Sequence, residues 1–88
     1  MQQLIDFTAM TEYTVPDKYT IERTIKIPGE LCARMYLNDG LMIRARTTVA
    51  GDVIVLRHKI YRNGCIETTG RKYGKHKDIQ SLINELLR

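Results

Sequence analysis

Residues 43–61 read IRARTTVAGDVIVLRHKIY, two runs around a glycine in which Arg44, Arg46, Arg57 and Lys59 fall at every second position. Side chains of a β-strand alternate between its two faces, so this spacing predicts two antiparallel strands joined at Gly51-Asp52 with the cations on one side. The other side of each run is apolar: Ile43, Ala45, Thr47 and Val49 on the first, Ile54, Leu56, His58 and Ile60 on the second.

Turn signals continue outward at short intervals, at Pro28-Gly29, Asn38-Asp39-Gly40 and Asn63-Gly64. The runs between them keep the period of two, which is the pattern of an antiparallel meander. Residues 18–27 group Tyr19, Ile21, Ile25 and Ile27; residues 31–37 group Leu31, Ala33, Met35 and Leu37; residues 41–49 begin their set with Leu41; a weaker fifth run spans Cys65–Thr69.

A slip of one residue turns an apolar face outward, so loop lengths can be chosen by which pairing keeps apolar residues together. A three-residue loop at Asn38-Asp39-Gly40, with Gly40 left-handed, pairs Leu37 with Leu41, Met35 with Ile43 and Ala33 with Ala45. A two-residue loop at Gly51-Asp52 pairs Ile54 with Val49, Leu56 with Thr47 and Ile60 with Ile43. A three-residue loop at Pro28-Gly29-Glu30 pairs Ile27 with Leu31 and Ile25 with Ala33.

The last residues change period. In HKDIQSLINELLR, Ile79, Leu82, Ile83 and Leu86 stand at i, i+3, i+4 and i+7, one stripe of an amphipathic helix. The predicted fold class is therefore α+β: an antiparallel β-meander of four to five strands with a C-terminal amphipathic helix packed on one face. With 88 residues there is room for one core, so residues 1–88 are read as a single domain. Residues 18–69 form the sheet and 76–88 the helix; residues 1–17 are of uncertain structure, with Leu4, Ile5 and Phe7 fitting a short helix or an extra edge strand.

Charge is unevenly divided. Residues 1–40 carry four Lys/Arg against six Asp/Glu, and residues 41–88 carry ten against four. The expected registers collect the cations into rows across the outward face: Glu22, Tyr36, Met42 and Tyr61; Thr24, Arg34, Arg44 and Lys59; Lys26, Cys32, Arg46 and Arg57. Directly opposed like charges destabilise a sheet, so such rows imply an acidic partner. The candidate binding residues are Arg34, Tyr36, Met42, Arg44, Arg46, Arg57, Lys59 and Tyr61. A second basic cluster in TGRKYGKHKD, residues 69–78, reads as a loop before the helix in which Arg71, Lys72, Lys75 and Lys77 anchor phosphate at a helix N-terminus. Its three residues between glycines, and His76 in place of a Ser or Thr, exclude a nucleotide-binding P-loop.

Catalysis and cofactors find little material. His58 is expected on the inward face as a core histidine, His76 lies among cations, and Glu67 is the sole acid between Arg57 and Lys77. Cys32, His58, Cys65 and His76 match no zinc-module spacing, and two cysteines are too few for a disulfide-stapled domain, so reduced thiols, no cofactor and no enzymatic role are expected. No apolar run approaches the ~20 residues of a membrane span. The start MQQLIDFTAM lacks a basic stretch followed by an apolar one, and the expected setting is the cytoplasm of a microbial or virus-infected cell.

The functional expectation is a small basic module that binds duplex DNA or RNA through the outward sheet face and the basic loop. The architecture of residues 41–88, a short antiparallel sheet backed by a C-terminal helix, is similar to that of sheet-reading DNA-binding domains. The alternative is a protein-binding inhibitor or adaptor of the kind phages direct at host nucleic-acid-processing machinery, or a homodimer formed through the same face, since Arg, Tyr and Met also suit an acidic protein surface.

Overall fold

A computed structural model describes residues 13–26, 32–48 and 50–88. Among these residues five strands, β1 (Ile21–Lys26), β2 (Cys32–Leu37), β3 (Leu41–Thr47), β4 (Asp52–Ile60) and β5 (Ile66–Lys75), form one antiparallel sheet in chain order. A 3₁₀ turn at His76–Asp78 leads into helix α1 (Ile79–Leu86), which packs on β4 and β5. The Asp78 carboxylate accepts the backbone N–H of Lys75 at 3.2 Å, which fixes the corner between strand and turn. The α+β meander with its C-terminal helix is thus the fold. The residues expected in a first-twelve-residue helix or strand, Leu4, Ile5 and Phe7, lie outside the described residues, as does the Pro28-Gly29-Glu30 loop.

The core sits between one sheet face and α1. Met35, Leu37, Ile43, Ala45, Val53 and Val55 line the sheet side; Ile79, Leu82, Ile83, Leu86 and Leu87 come from the helix. Tyr13, Val15 and Tyr19 complete the same layer, and Gln80 binds the backbone of Thr14 through both ends of its amide at 2.9 Å. Two glycines of β5 let the helix approach: a Cβ on Gly70 would lie 2.8 Å from Leu86 Cδ2, and one on Gly74 3.0 Å from Leu82 Cδ1.

The β2–β3 register is as expected, with Leu37 opposite Leu41, Met35 opposite Ile43 and Arg34 opposite Arg44. The β3–β4 register is not. Ala45 faces Val55, Ile43 faces Arg57 and Leu41 faces Lys59, so Val53 and Val55 enter the core, while Ile54, Leu56, His58 and Ile60 point to the other side. The loop is one of three residues ending on left-handed Gly51 (φ 87°): Thr48 N–H donates to the Asp52 carbonyl at 2.8 Å and Gly51 N–H to the Thr48 carbonyl at 3.0 Å. A strand flips because β4 is apolar on both sides, so apolar pairing alone does not decide its register and turn chemistry does.

Two bulges adjust the edges. On β1 the register shifts between Ile21 and Arg23, so Ile25 faces Arg34 rather than Ala33, and Thr24 faces Met35. On β5 the shift falls opposite Arg57 and His58, leaving Thr69 as the extra residue between Gly70 and Thr68. The sheet runs on to Lys75, six residues past the predicted end at residue 69, and the helix proper begins at Ile79.

Candidate anion-binding face of the sheet

The face away from α1 is read off the registers. One row across the sheet is Arg23, Tyr36, Met42, His58 and Thr68; the next is Ile25, Arg34, Arg44, Leu56 and Arg71; a third carries Arg46, Ile54 and Tyr73. Of the residues expected there, Arg34, Tyr36, Met42, Arg44 and Arg46 are present.

Arg57, Lys59 and Tyr61 are not, because the three-residue loop turned β4 over. Arg57 serves the fold. Its Nε donates to Thr69 Oγ1 at 2.8 Å, one terminal nitrogen to the Thr69 carbonyl at 3.0 Å, and the other to the carbonyl of Leu86. A guanidinium on the final carbonyls of α1 satisfies acceptors that a helix leaves open and complements its dipole. Lys59 stands 5.0 Å from the ring of Tyr61, whose hydroxyl donates to Glu67 Oε1 at 3.1 Å; that bond and the charge of Glu67 push the phenol above its usual pKa.

The second basic cluster is strand, not loop. Alternation along β5 separates its members: Arg71 joins the outward face, whereas Lys72 turns toward the helix and lies 3.7 Å from Glu85. Lys75 is paired with Asp52, which raises the pKa of the ammonium, and Lys77 is exposed in the 3₁₀ turn. No common anchor is formed by Arg71, Lys72, Lys75 and Lys77.

Three residues, Arg23, His58 and Tyr73, were missed by sequence reasoning, and Arg71 was expected in a loop and not on this face. Arg23 lies over the ring of Tyr36, 4.3 Å from its centroid, brought there by the β1 bulge. Arg71 and Tyr73 belong to the face because β5 is twice as long as expected, and Tyr73 is 63 % exposed beside a shallow pocket of about 260 Å³ lined by Thr48, Asp52, Gly74 and Lys75. His58 arrives with the flipped β4.

Two residues at the centre of the face are buried. Met42 is 3 % exposed yet lies outside the main core, and His58, directly opposite it, is 7 % exposed. His58 Nδ1 lies 3.1 Å from Thr68 Oγ1. Burial, and then the charges of Arg44 and Arg34, hold the imidazole below its ordinary pKa, so it is neutral at pH 7. Arg34 and Arg44 are half-buried, and Nε of each, like Nε2 of His58, is buried with no hydrogen-bond partner. Asp52 lies on this side and Lys75 already occupies it, and the exposed Glu22, the extra residue of the β1 bulge between core-packed Ile21 and Arg23, stands at its edge. Five arginines, Arg23, Arg34, Arg44, Arg46 and Arg71, therefore outnumber the acids on this surface.

Among the described residues no three His, Cys, Asp or Glu side chains come together, and no helix is long and apolar enough to cross a membrane. Compared with protein families, curated proteins and solved structures, the chain matches none.

Proposed function

We propose that this protein is a nucleic-acid-binding module that takes the phosphate backbone on the sheet face opposite α1. The observation that carries the reading is Arg34 opposite Arg44, half-buried, each with an Nε–H that has no acceptor. Opposed cations destabilise the sheet and buried unpaired donors add to that cost, so a bound polyanion would relieve both. The surrounding residues suit the same ligand: Arg23, Arg46 and Arg71 reach phosphates, and the exposed ring of Tyr73 offers a surface on which a base can stack.

Counterion release gives the test a magnitude. If all five arginines contact phosphates, the affinity falls with salt on a log–log slope of about −4.5 for a duplex and about −3.5 for a single strand. Between 50 and 200 mM salt the duplex complex then weakens about 500-fold. Titration of labelled duplex DNA, duplex RNA and single strands at those salt concentrations reads the slope directly. The Arg34→Ser/Arg44→Ser double variant is expected to remain folded and to lose about 1.8 from the duplex slope. A slope near zero, or an unchanged slope in the double variant, would defeat the proposal. A second reading, an acidic protein surface as partner, draws on Ile54 and Leu56 lying half-buried among the arginines, a mixture that suits the centre of a protein interface. Failure to bind any of the nucleic acids at 50 mM salt would favour it.

A further inference from the structure

Three buried nitrogens without partners, Nε of Arg34, Nε of Arg44 and Nε2 of His58, belong to neighbouring positions on three adjacent strands. Arg34 faces Arg44 directly, and His58 lies in the next row, beside Arg44's partner Leu56 along β4. Both guanidinium charges act on the imidazole, which sets all three within electrostatic range of one another.

The contact between Thr68 Oγ1 and His58 Nδ1 fits either tautomer of the neutral ring. The one in which the hydroxyl donates to Nδ1 puts the hydrogen on Nε2 and presents an N–H donor to the face, and it is the tautomer that a seat of three donors requires. All three unpartnered atoms are then donors, and two of them carry positive charge. Native proteins leave few buried donors unsatisfied, and three together on one surface call for an acceptor from outside the chain. The non-bridging oxygens of a phosphate, two in a diester and three in a monoester, can each accept more than one donor, and their tetrahedral spread out of a single plane suits donors that come from three strands.

We propose that Arg34, Arg44 and His58 form a seat for a single phosphate oxyanion, each supplying one N–H donor. The seat rests on the nucleic-acid reading of this face and adds that one phosphate is held there, while Arg23, Arg46 and Arg71 track the rest of the strand. Arg34 and Arg44 are themselves only partly buried, so rotation of their long side chains brings the donors to an arriving anion. The phosphate is either an in-chain diester or the terminal monoester of a strand, and the chemistry of the donors is the same for both.

The test follows the ring nitrogens of His58 and the arginine Nε–H groups by NMR in the full ¹⁵N-labelled chain as inorganic phosphate is added, against chloride at matched ionic strength. Saturable shifts confined to His58 Nε2 and the Nε–H groups of Arg34 and Arg44, weakened at least tenfold in Arg34→Lys, are expected. Arg34→Lys keeps the charge, so it separates a shaped seat from simple attraction and does not depend on a disruptive variant. Small unsaturated shifts spread over Arg46 and Arg71 as well would overturn the seat and leave the polyanion face standing. Saturable phosphate binding in a protein that binds no nucleic acid would uphold the seat and remove the function it rests on. Bound phosphate is then challenged with one single strand carrying either a 5′-phosphate or a 5′-hydroxyl. Displacement by both supports an in-chain diester, displacement by the phosphorylated strand alone supports a terminal phosphate, and binding of both strands with phosphate still seated overturns the proposal.

Discussion

Arg57→Met separates the two placements of β4 more sharply than any other single change. Methionine keeps an unbranched apolar stem, so the substitution chiefly removes the guanidinium and its bonds to Thr69 Oγ1, the Thr69 carbonyl and the Leu86 carbonyl. At about 1 kcal/mol net for each partly buried bond, the loss is about 3 kcal/mol, and the attraction of the cation for the helix terminus is already contained in the bond to Leu86. A domain of this size has a stability of about 5–10 kcal/mol, so the variant should retain its fold with roughly half the margin. Its thermal midpoint should drop by about 12–24 °C. Urea unfolding followed by circular dichroism measures the change, and Arg57→Lys, which restores a charge and one donor at a time, should recover about 1 kcal/mol. Under conditions where Arg57→Met is folded, its salt slope for nucleic acid should equal the parent's, because Arg57 is on the helix side. An unchanged urea midpoint together with lost affinity would refute the β3–β4 register and return Arg57 to the outward face.

Two further outcomes follow from local geometry. Gly40→Ala should destabilise by about 2–3 kcal/mol, because Gly40 is left-handed (φ 68°) and a Cβ there would lie 2.7 Å from the Ile60 backbone oxygen; Gly51→Ala, left-handed but facing open space, should lose only about 1–2 kcal/mol, as paired urea curves would show. His58 makes stability depend on pH with a known sign. Its folded-state pKa lies below the 6.5 of the unfolded chain, so its contribution is complete above pH 6.5 and is lost as the pH falls below that value, when unfolding takes up a proton. The difference in unfolding free energy between the parent and His58→Gln should therefore shrink from pH 7.5 to pH 5, and a difference that stays constant would contradict the assignment.

The fold was legible where local rules and packing agree. Ile79, Leu82, Ile83 and Leu86 announced the helix stripe, and all four are buried. The Asn38-Asp39-Gly40 turn has left-handed residues at Asp39 and Gly40, and both neighbouring strands are apolar on one side only, so the register between them had a single solution. Strand β4 had two, since Val53 and Val55 are as apolar as Ile54 and Leu56. The signal that could have decided it is the repeated placement of glycine: Gly64 closes the β4–β5 loop through the same pair of backbone bonds, Gly64 N–H to the Tyr61 carbonyl and Tyr61 N–H to the Cys65 carbonyl, as Gly51 makes with Thr48. The second half of β5 escaped notice because GRKYGK is polar and holds two glycines, features of a loop in isolation. Those glycines are required by the approach of Leu82 and Leu86, a tertiary demand that no local pattern carries. Of the candidate face, Arg34, Tyr36, Met42, Arg44 and Arg46 could be placed from the β2–β3 turn, whereas Arg23 depended on a bulge, Arg71 and Tyr73 on strand length, and His58 on the β3–β4 loop.

Strand β4 is paired on both sides, by β3 and by β5, and carries apolar side chains on both faces. Apolar burial alone would let such a strand pack either way up. The inverted arrangement would bury Ile54 and Leu56 and lift Arg57 into water, leaving the last carbonyls of α1 without their guanidinium. That form needs a different β3–β4 turn, and the left-handed Gly51 with its bond to Thr48 belongs to the native one. The stability of the protein is set by its core, but which side of β4 joins its basic surface is settled at a short hairpin loop.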